Sequence, residues 1–161
     1  LSAPLKPFEI VAGYALAAVT SALSTGAVVL VLMVIFVDLP LHSLAAVIGF
    51  AVAGALLFAL LGTILGLWAD RWENYSAAET FLILPLGLLS GAFFTLDSVP
   101  ESVRWVFEIN PVFHIVNGVR YGFTGYAEGT VLAAGAVLAV LNLVLALIAW
   151  RLFAAGYKIK P

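Results

Sequence analysis

The chain has 161 residues, of which 64% are hydrophobic and only 10% charged, with a mean hydropathy of +1.16. Soluble domains carry about 25% charged residues, so there is too little polar surface here to cover a core, and a soluble globular fold is excluded. A net charge of −2 with scattered basic residues gives no footprint for nucleic acid, and the lack of cysteine removes disulfides, thiol chemistry and cysteine-ligated metals.

The runs Ile10 to Val37, Leu39 to Ala69, Thr80 to Leu96 and Gly129 to Trp150 contain no Asp, Glu, Lys or Arg. Three exceed the roughly 18 residues that mark a spanning candidate, and the third is extended backwards past Glu79 by Tyr75, Ala77 and Ala78. These runs predict an all-α polytopic membrane protein with about four transmembrane helices, near 10–36, 44–68, 75–96 and 130–151. Two short helices, interfacial or re-entrant, are expected near 99–121, between the last two spans. The start at Leu1, without a leader pattern, is expected of a piece whose upstream part is missing.

In the first span Gly13, Ala17, Ser21 and Thr25 share a four-residue spacing; in the second, Gly49 pairs with Ala53 and Gly62 with Gly66. Such small-residue faces let helices approach closely in lipid, and equally serve plain packing. The turn around Asp70, Arg71 and Glu73 reads as a solvated loop or a partner contact. Asn142, near the centre of the last span, is expected to bond a neighbouring helix. With the N-terminus cytoplasmic, Lys6, Arg71, Arg151, Lys158 and Lys160 fall inside and Arg104 and Arg120 outside, as positive charges are distributed in membrane proteins.

The most informative stretch runs from Pro85 to Gly125. It breaks at Ser90-Gly91 and then offers two pieces too short to span. Ser98-Val-Pro-Glu101 reads as a capping box with Pro100 in the first turn of a helix of about ten residues. Asn110-Pro111 restarts the chain as cap and first helical residue. Val112, Ile115, Val116 and Val119 then form an apolar stripe, with His114, Asn117 and Arg120 on the other side. Glu108, His114 and Arg120 suggest an acid–base site only weakly, because no nucleophile accompanies them, and His42 and His114 fit no metal-ligand spacing. There is no Gly-x-x-x-x-Gly-Lys-Ser/Thr loop, so nucleotide-driven work falls to another chain.

Leu89-Ser90-Gly91 with its following aromatics, Pro100, Asn110-Pro111, Arg120 and Gly125 resemble, in this order and spacing, the C-terminal signature of type-2 ABC transporter permeases. The N-terminal Ser2 to Gly13 is similar to the family segment that leaves the cytoplasmic coupling helix. The resemblance covers nearly the whole chain and implies the last four of six spans in a permease of the bacterial inner membrane, both termini of this piece cytoplasmic. It implies export of a glycan, lipid-linked or drug-like substrate by a dimer of permeases with two cytoplasmic ATPase subunits, which bind the ATP; no cofactor is bound by this chain. Pro4, Lys6, Phe8 and Glu9 would lie beside the ATPase. Ser90, Gly91, Phe93, Phe94, Trp105, Phe107, Asn110, Pro111, Phe113 and Arg120 would belong to an external gate, whose aromatics either meet cargo or anchor the helices among lipid headgroups. Pro85 would be a hinge. The alternatives are a membrane-embedded enzyme using His114 and Glu108 on a lipid-linked substrate, and a non-transporting anchor subunit.

Overall fold

A computed structural model describes residues 6–37, 40–93 and 98–157. Six helices follow in order: α1 (Pro7–Phe36), α2 (Leu44–Trp68), α3 (Trp72–Leu88), α4 (Glu101–Glu108), α5 (Pro111–Thr124) and α6 (Val131–Ala154). No strand occurs among the described residues, and the protein is an all-α polytopic membrane protein. Three helices, α1, α2 and α6, are long and apolar enough to cross a membrane. At 17 residues α3 is shorter than the roughly 20 that a crossing needs. It starts at Trp72 and stops at Leu88.

Helix α2 is the central post. Its buried residues Val47, Phe50, Gly54, Leu57 and Leu60 follow a helical stripe. Phe50 and Leu57 form one core cluster with Ala134 and Leu138 of α6, against which Ile115 and Val119 of α5 pack. A second cluster joins Val11 of α1, Leu60 and Ala149 of α6. The outward faces stay rich in large apolar side chains, among them Leu132, Val140 and Phe81. That is the arrangement a lipid solvent permits, since hydrocarbon around the protein removes the cost of exposing them.

Helix α1 packs by its N-terminal half alone. At 30 residues it is about 45 Å long, beyond the ~30 Å hydrocarbon core. From Ser21 onward nearly every side chain is exposed. Ser21 and Thr25 line an open groove of about 680 Å³ against Ala55 and Phe58 of α2. Of the small residues Gly13, Ala17, Ser21 and Thr25, the last two thus face this groove, and no atom lies within 4 Å of the space beside Gly13, although α1 and α2 pack against each other elsewhere. Hydroxyls in these helices bond back into their own ladders, Thr20 to Leu16 O and Thr63 to Ala59 O, which removes their cost in lipid.

The tight glycine contacts lie elsewhere, between α2 and α5. A Cβ on Gly118 would overlap the Phe50 ring, one on Gly122 would lie 3.0 Å from Ser43 O, and one on Gly54 would lie 3.1 Å from the Ile115 side chain. Positions 122, 118 and 115 thus meet 43, 50 and 54 in turn, so α5 runs antiparallel to α2. Gly54 lies eleven residues past Ser43, about 16 Å by helical rise. Helix α5 therefore reaches about half-way along α2 instead of lying flat across its end, and re-entrant is the right description. Helix α4 packs on α5 but leaves Trp105 and Val103 exposed.

Candidate functional site

The re-entrant segment is held by two polar anchors. The first is Asn110, 3% exposed. Its Oδ1 accepts from Val112 N at 2.9 Å and caps α5, with Pro111 as first helical residue. Its Nδ2 donates to Leu86 O and Leu89 O, each at 2.8 Å. Those carbonyls end α3 and have no partner within their own helix, so one side chain satisfies the start of α5 and the end of α3 together.

The second anchor is Arg120. Its guanidinium pairs with Glu128 Oε1 at 2.8 Å and donates also to Gly91 O. Glu128 lies in the loop between α5 and α6, and its side chain is 5% exposed. Asn117, 1% exposed, holds the Glu128 backbone from both sides: Nδ2 donates to its carbonyl at 2.7 Å, and Oδ1 accepts from its amide at 2.8 Å. Gly91 has φ +74, a conformation only glycine adopts without strain, and follows Ser90, whose hydroxyl donates to Gly87 O at 2.6 Å. The Ser90-Gly91 break thus aims a carbonyl at Arg120, and one guanidinium ties together the loop after α3 and the loop between α5 and α6.

The end of α5 docks on the start of α2. Ser43 N donates to Gly122 O at 2.8 Å and His42 N to Phe123 O at 3.2 Å. The His42 ring meets Tyr121 edge-on at 5.2 Å. Gly125 closes α5 with φ +73.

The aromatic residues divide. Phe107 and Phe113 are buried and pack edge to face at 6.4 Å, forming the core of the α4–α5 hairpin. Phe93 and Trp105 are exposed, while Phe94 lies outside the described residues. His114 Nε2 lies 2.7 Å from the backbone oxygen of Glu108, so the two do not meet through the carboxylate. The Ser98–Glu101 capping box is absent: α4 begins at Glu101 with Pro100 as N-cap and no side-chain cap bond. Pro100 has ψ 141, an extended backbone that cannot sit inside a first turn. The helix is accordingly eight residues long. No group of three or more potential metal ligands occurs among the described residues.

At the other end of the bundle Lys6 and Phe8 are exposed at the start of α1, and Glu9 accepts from Lys6 N at 2.8 Å, closing the first turn. Pro4 lies outside the described residues. Pro85 sits in the last turn of α3, where its carbonyl accepts from Leu89 N. Glu128 is a site residue that sequence reasoning misses, and Asn117 is one that it places on the polar side of the helix without a role. The pairing of Glu128 with Arg120, eight positions back, depends on how the loop folds, which no helical periodicity encodes.

Residues 1–124, through the end of α5, match the family model of the ABC-2 type transporter. The chain is 32% identical over 160 residues to the inner membrane transport permease YadH of Escherichia coli K12, and equally to the proteins of that name from E. coli O157:H7 and Shigella flexneri. The alignments cover 99% of this chain and 62% of each relative, so the chain spans somewhat less than two thirds of their length. No solved structure matches it. The chain belongs to the ABC-2 type transporter family.

Proposed function

We propose that the whole protein is the permease subunit of an ATP-binding cassette exporter, moving a glycan, lipid-linked or drug-like substrate out of the cytoplasm. The observation that carries the reading is the re-entrant α4–α5 hairpin, inserted along α2 and fixed by Asn110 and Arg120. A short helix buried half-way along a span and tied down by polar anchors is built to plug a path; a lipid anchor has no use for one. Family membership and the name of the relatives support the same reading.

In this account ATP is bound and hydrolysed by a cytoplasmic partner that pushes on the region of Pro4, Lys6, Phe8 and Glu9. A second permease copy completes the path, both termini of this piece face the cytoplasm, and the hairpin forms the external gate. Pro85 weakens the last turn of α3 directly behind the Asn110 anchor, which is where a hinge for that gate belongs. The enzyme reading needs His114 to meet the Glu108 carboxylate, and the ring contacts a backbone oxygen instead.

The deciding experiment is co-purification of the full-length permease with its companion ATPase, followed by ATPase stimulation and export in inverted vesicles. Pro85→Ala should lower export with assembly unchanged, and equal export would remove the hinge. Failure of any ATPase to bind would remove the exporter reading.

A further inference from the structure

Between α2 and α3 lies a groove of about 350 Å³ whose walls include Phe58, Leu61 and Gly62 on one side and Tyr75, Glu79 and Leu82 on the other. Glu79 is half-buried and makes no hydrogen bond or ion pair among the described residues. It stands seven residues past Trp72, about 10 Å along α3. Across the groove, Phe58 stands ten residues before Trp68, about 15 Å along α2. Trp68 and Trp72 are exposed at this end and mark the interfacial belt. The carboxylate therefore lies in the hydrocarbon zone, where an ionisable side chain is costly and marks a ligand or ion path.

The remaining polar group in the groove is Tyr75, whose hydroxyl lies 3.7 Å from where a Gly62 Cβ would be; the missing side chain keeps the space open. Among the described residues no Lys, Arg or His lines the groove, so the carboxylate meets no cationic side chain there. Charge complementarity therefore selects a cation. The apolar walls select one that carries hydrocarbon, and the rings of Phe58 and Tyr75 suit its charge as well.

We propose that this groove binds a lipophilic organic cation with Glu79 as its counter-ion. As a cargo site it rests on the export reading above; as a binding site it stands on the groove alone. The test uses the full-length permease in nanodiscs without its ATPase, with tetraphenylphosphonium as probe and tetraphenylborate, of the same shape and opposite charge, as control. The phosphonium should bind and the borate should not. Glu79→Gln should weaken binding about tenfold or more, as removal of one partner of a desolvated charge pair does, whereas Glu79→Asp retains most of it. In the unaltered protein, tetraphenylphosphonium should also protect Glu79 from modification by dicyclohexylcarbodiimide, a readout that needs no folded variant. Equal binding by Glu79→Gln, equal binding of both ions, or absence of protection overturns the proposal. So does a Glu79→Gln protein that loses assembly but not binding, since the carboxylate then pairs with another part of the protein. Binding without ATP-driven export of the phosphonium upholds the site and removes its role as a cargo site.

Discussion

Gly118 lies so close to the ring of Phe50 that a Cβ at this position would overlap it, and no flexible atom stands between them. The contact fixes how deeply α5 is inserted along α2. Gly118→Ala should destabilise the permease by roughly 1–3 kcal/mol, the range for forcing extra atoms into a packed core, seen as a lower melting temperature in detergent. Phe50→Leu should recover part of the loss in the double variant. Gly49→Ala, with nothing within 4 Å of its Cβ, should be neutral or slightly stabilising, because alanine exceeds glycine by about 1 kcal/mol in a helix. Equal losses at both positions would show that glycine conformation, and not the Phe50 contact, sets the effect.

The Arg120–Glu128 pair is a clamp with two jaws, because the same guanidinium holds Gly91 O. Lysine keeps the charge but presents a single compact ammonium in place of a fork. Arg120→Lys should therefore hold Glu128 and release Gly91, while Glu128→Gln should do the reverse. A double-mutant cycle on melting or denaturant unfolding should give a coupling of about 1–3 kcal/mol, as for side chains in contact. Additive effects would mean that the pair does not hold the hairpin.

The local signals in the hairpin read well from sequence, and the long-range ones do not. Asn110-Pro111 carries its own instruction: the amide caps, the ring presets φ, and α5 starts there. Gly91 and Gly125 likewise mark positive φ at the two ends of the hairpin region. Yet Gly118 and Gly122 on α5 have the same small-residue spacing as Gly62 and Gly66 on α2, and only the first pair makes a tight contact with a neighbouring helix. Spacing shows that a helix has a small face; it does not name the helix that fills it. The amphipathic stripe of α5 is similarly double-valued, since Val112, Ile115 and Val119 suit a headgroup interface or a protein groove alike. What decides is Gly54 opposite Ile115, on a helix some sixty residues earlier in the chain. The Ser98–Glu101 motif failed for the opposite reason, since a short-range pattern was overruled by the extended backbone at Pro100.

Asn142 bonds the neighbouring helix as its position suggests, donating to Ala53 O at 3.1 Å and to its own ladder at Leu138 O. Its Oδ1 is buried with no hydrogen-bond partner among the described residues. Inter-helix polar bonds in membranes average about 0.6 kcal/mol, whereas an unsatisfied buried acceptor costs roughly 1–3 kcal/mol. The orphan outweighs the bond, so Asn142→Leu should leave stability unchanged or raise it. Thermal melting of the full-length protein checks the sign; a loss of more than about 2 kcal/mol would show that Oδ1 has a partner elsewhere in the assembly.

Asn110 separates two contributions that a simple cap would confound. Aspartate and asparagine are about equal as N-caps, so if capping α5 were the whole role, Asn110→Asp would be harmless. The Nδ2 group, however, feeds Leu86 O and Leu89 O at 2.8 Å each, and a carboxylate oxygen there would face two carbonyls with no proton between them. In a site 3% exposed, that juxtaposition leaves two acceptors unsatisfied next to an unpaired charge. Asn110→Asp should thus be at least as damaging as Asn110→Ala, which loses about 1 kcal/mol of cap together with both donated bonds. Asn110→Ser should fall between asparagine and alanine, because it keeps the cap alone. Melting temperatures of the three variants in one detergent test the order. Aspartate behaving like asparagine would mean that the α3–α5 tie contributes nothing, and that the hairpin is held by the Gly118 contact and the Arg120 clamp.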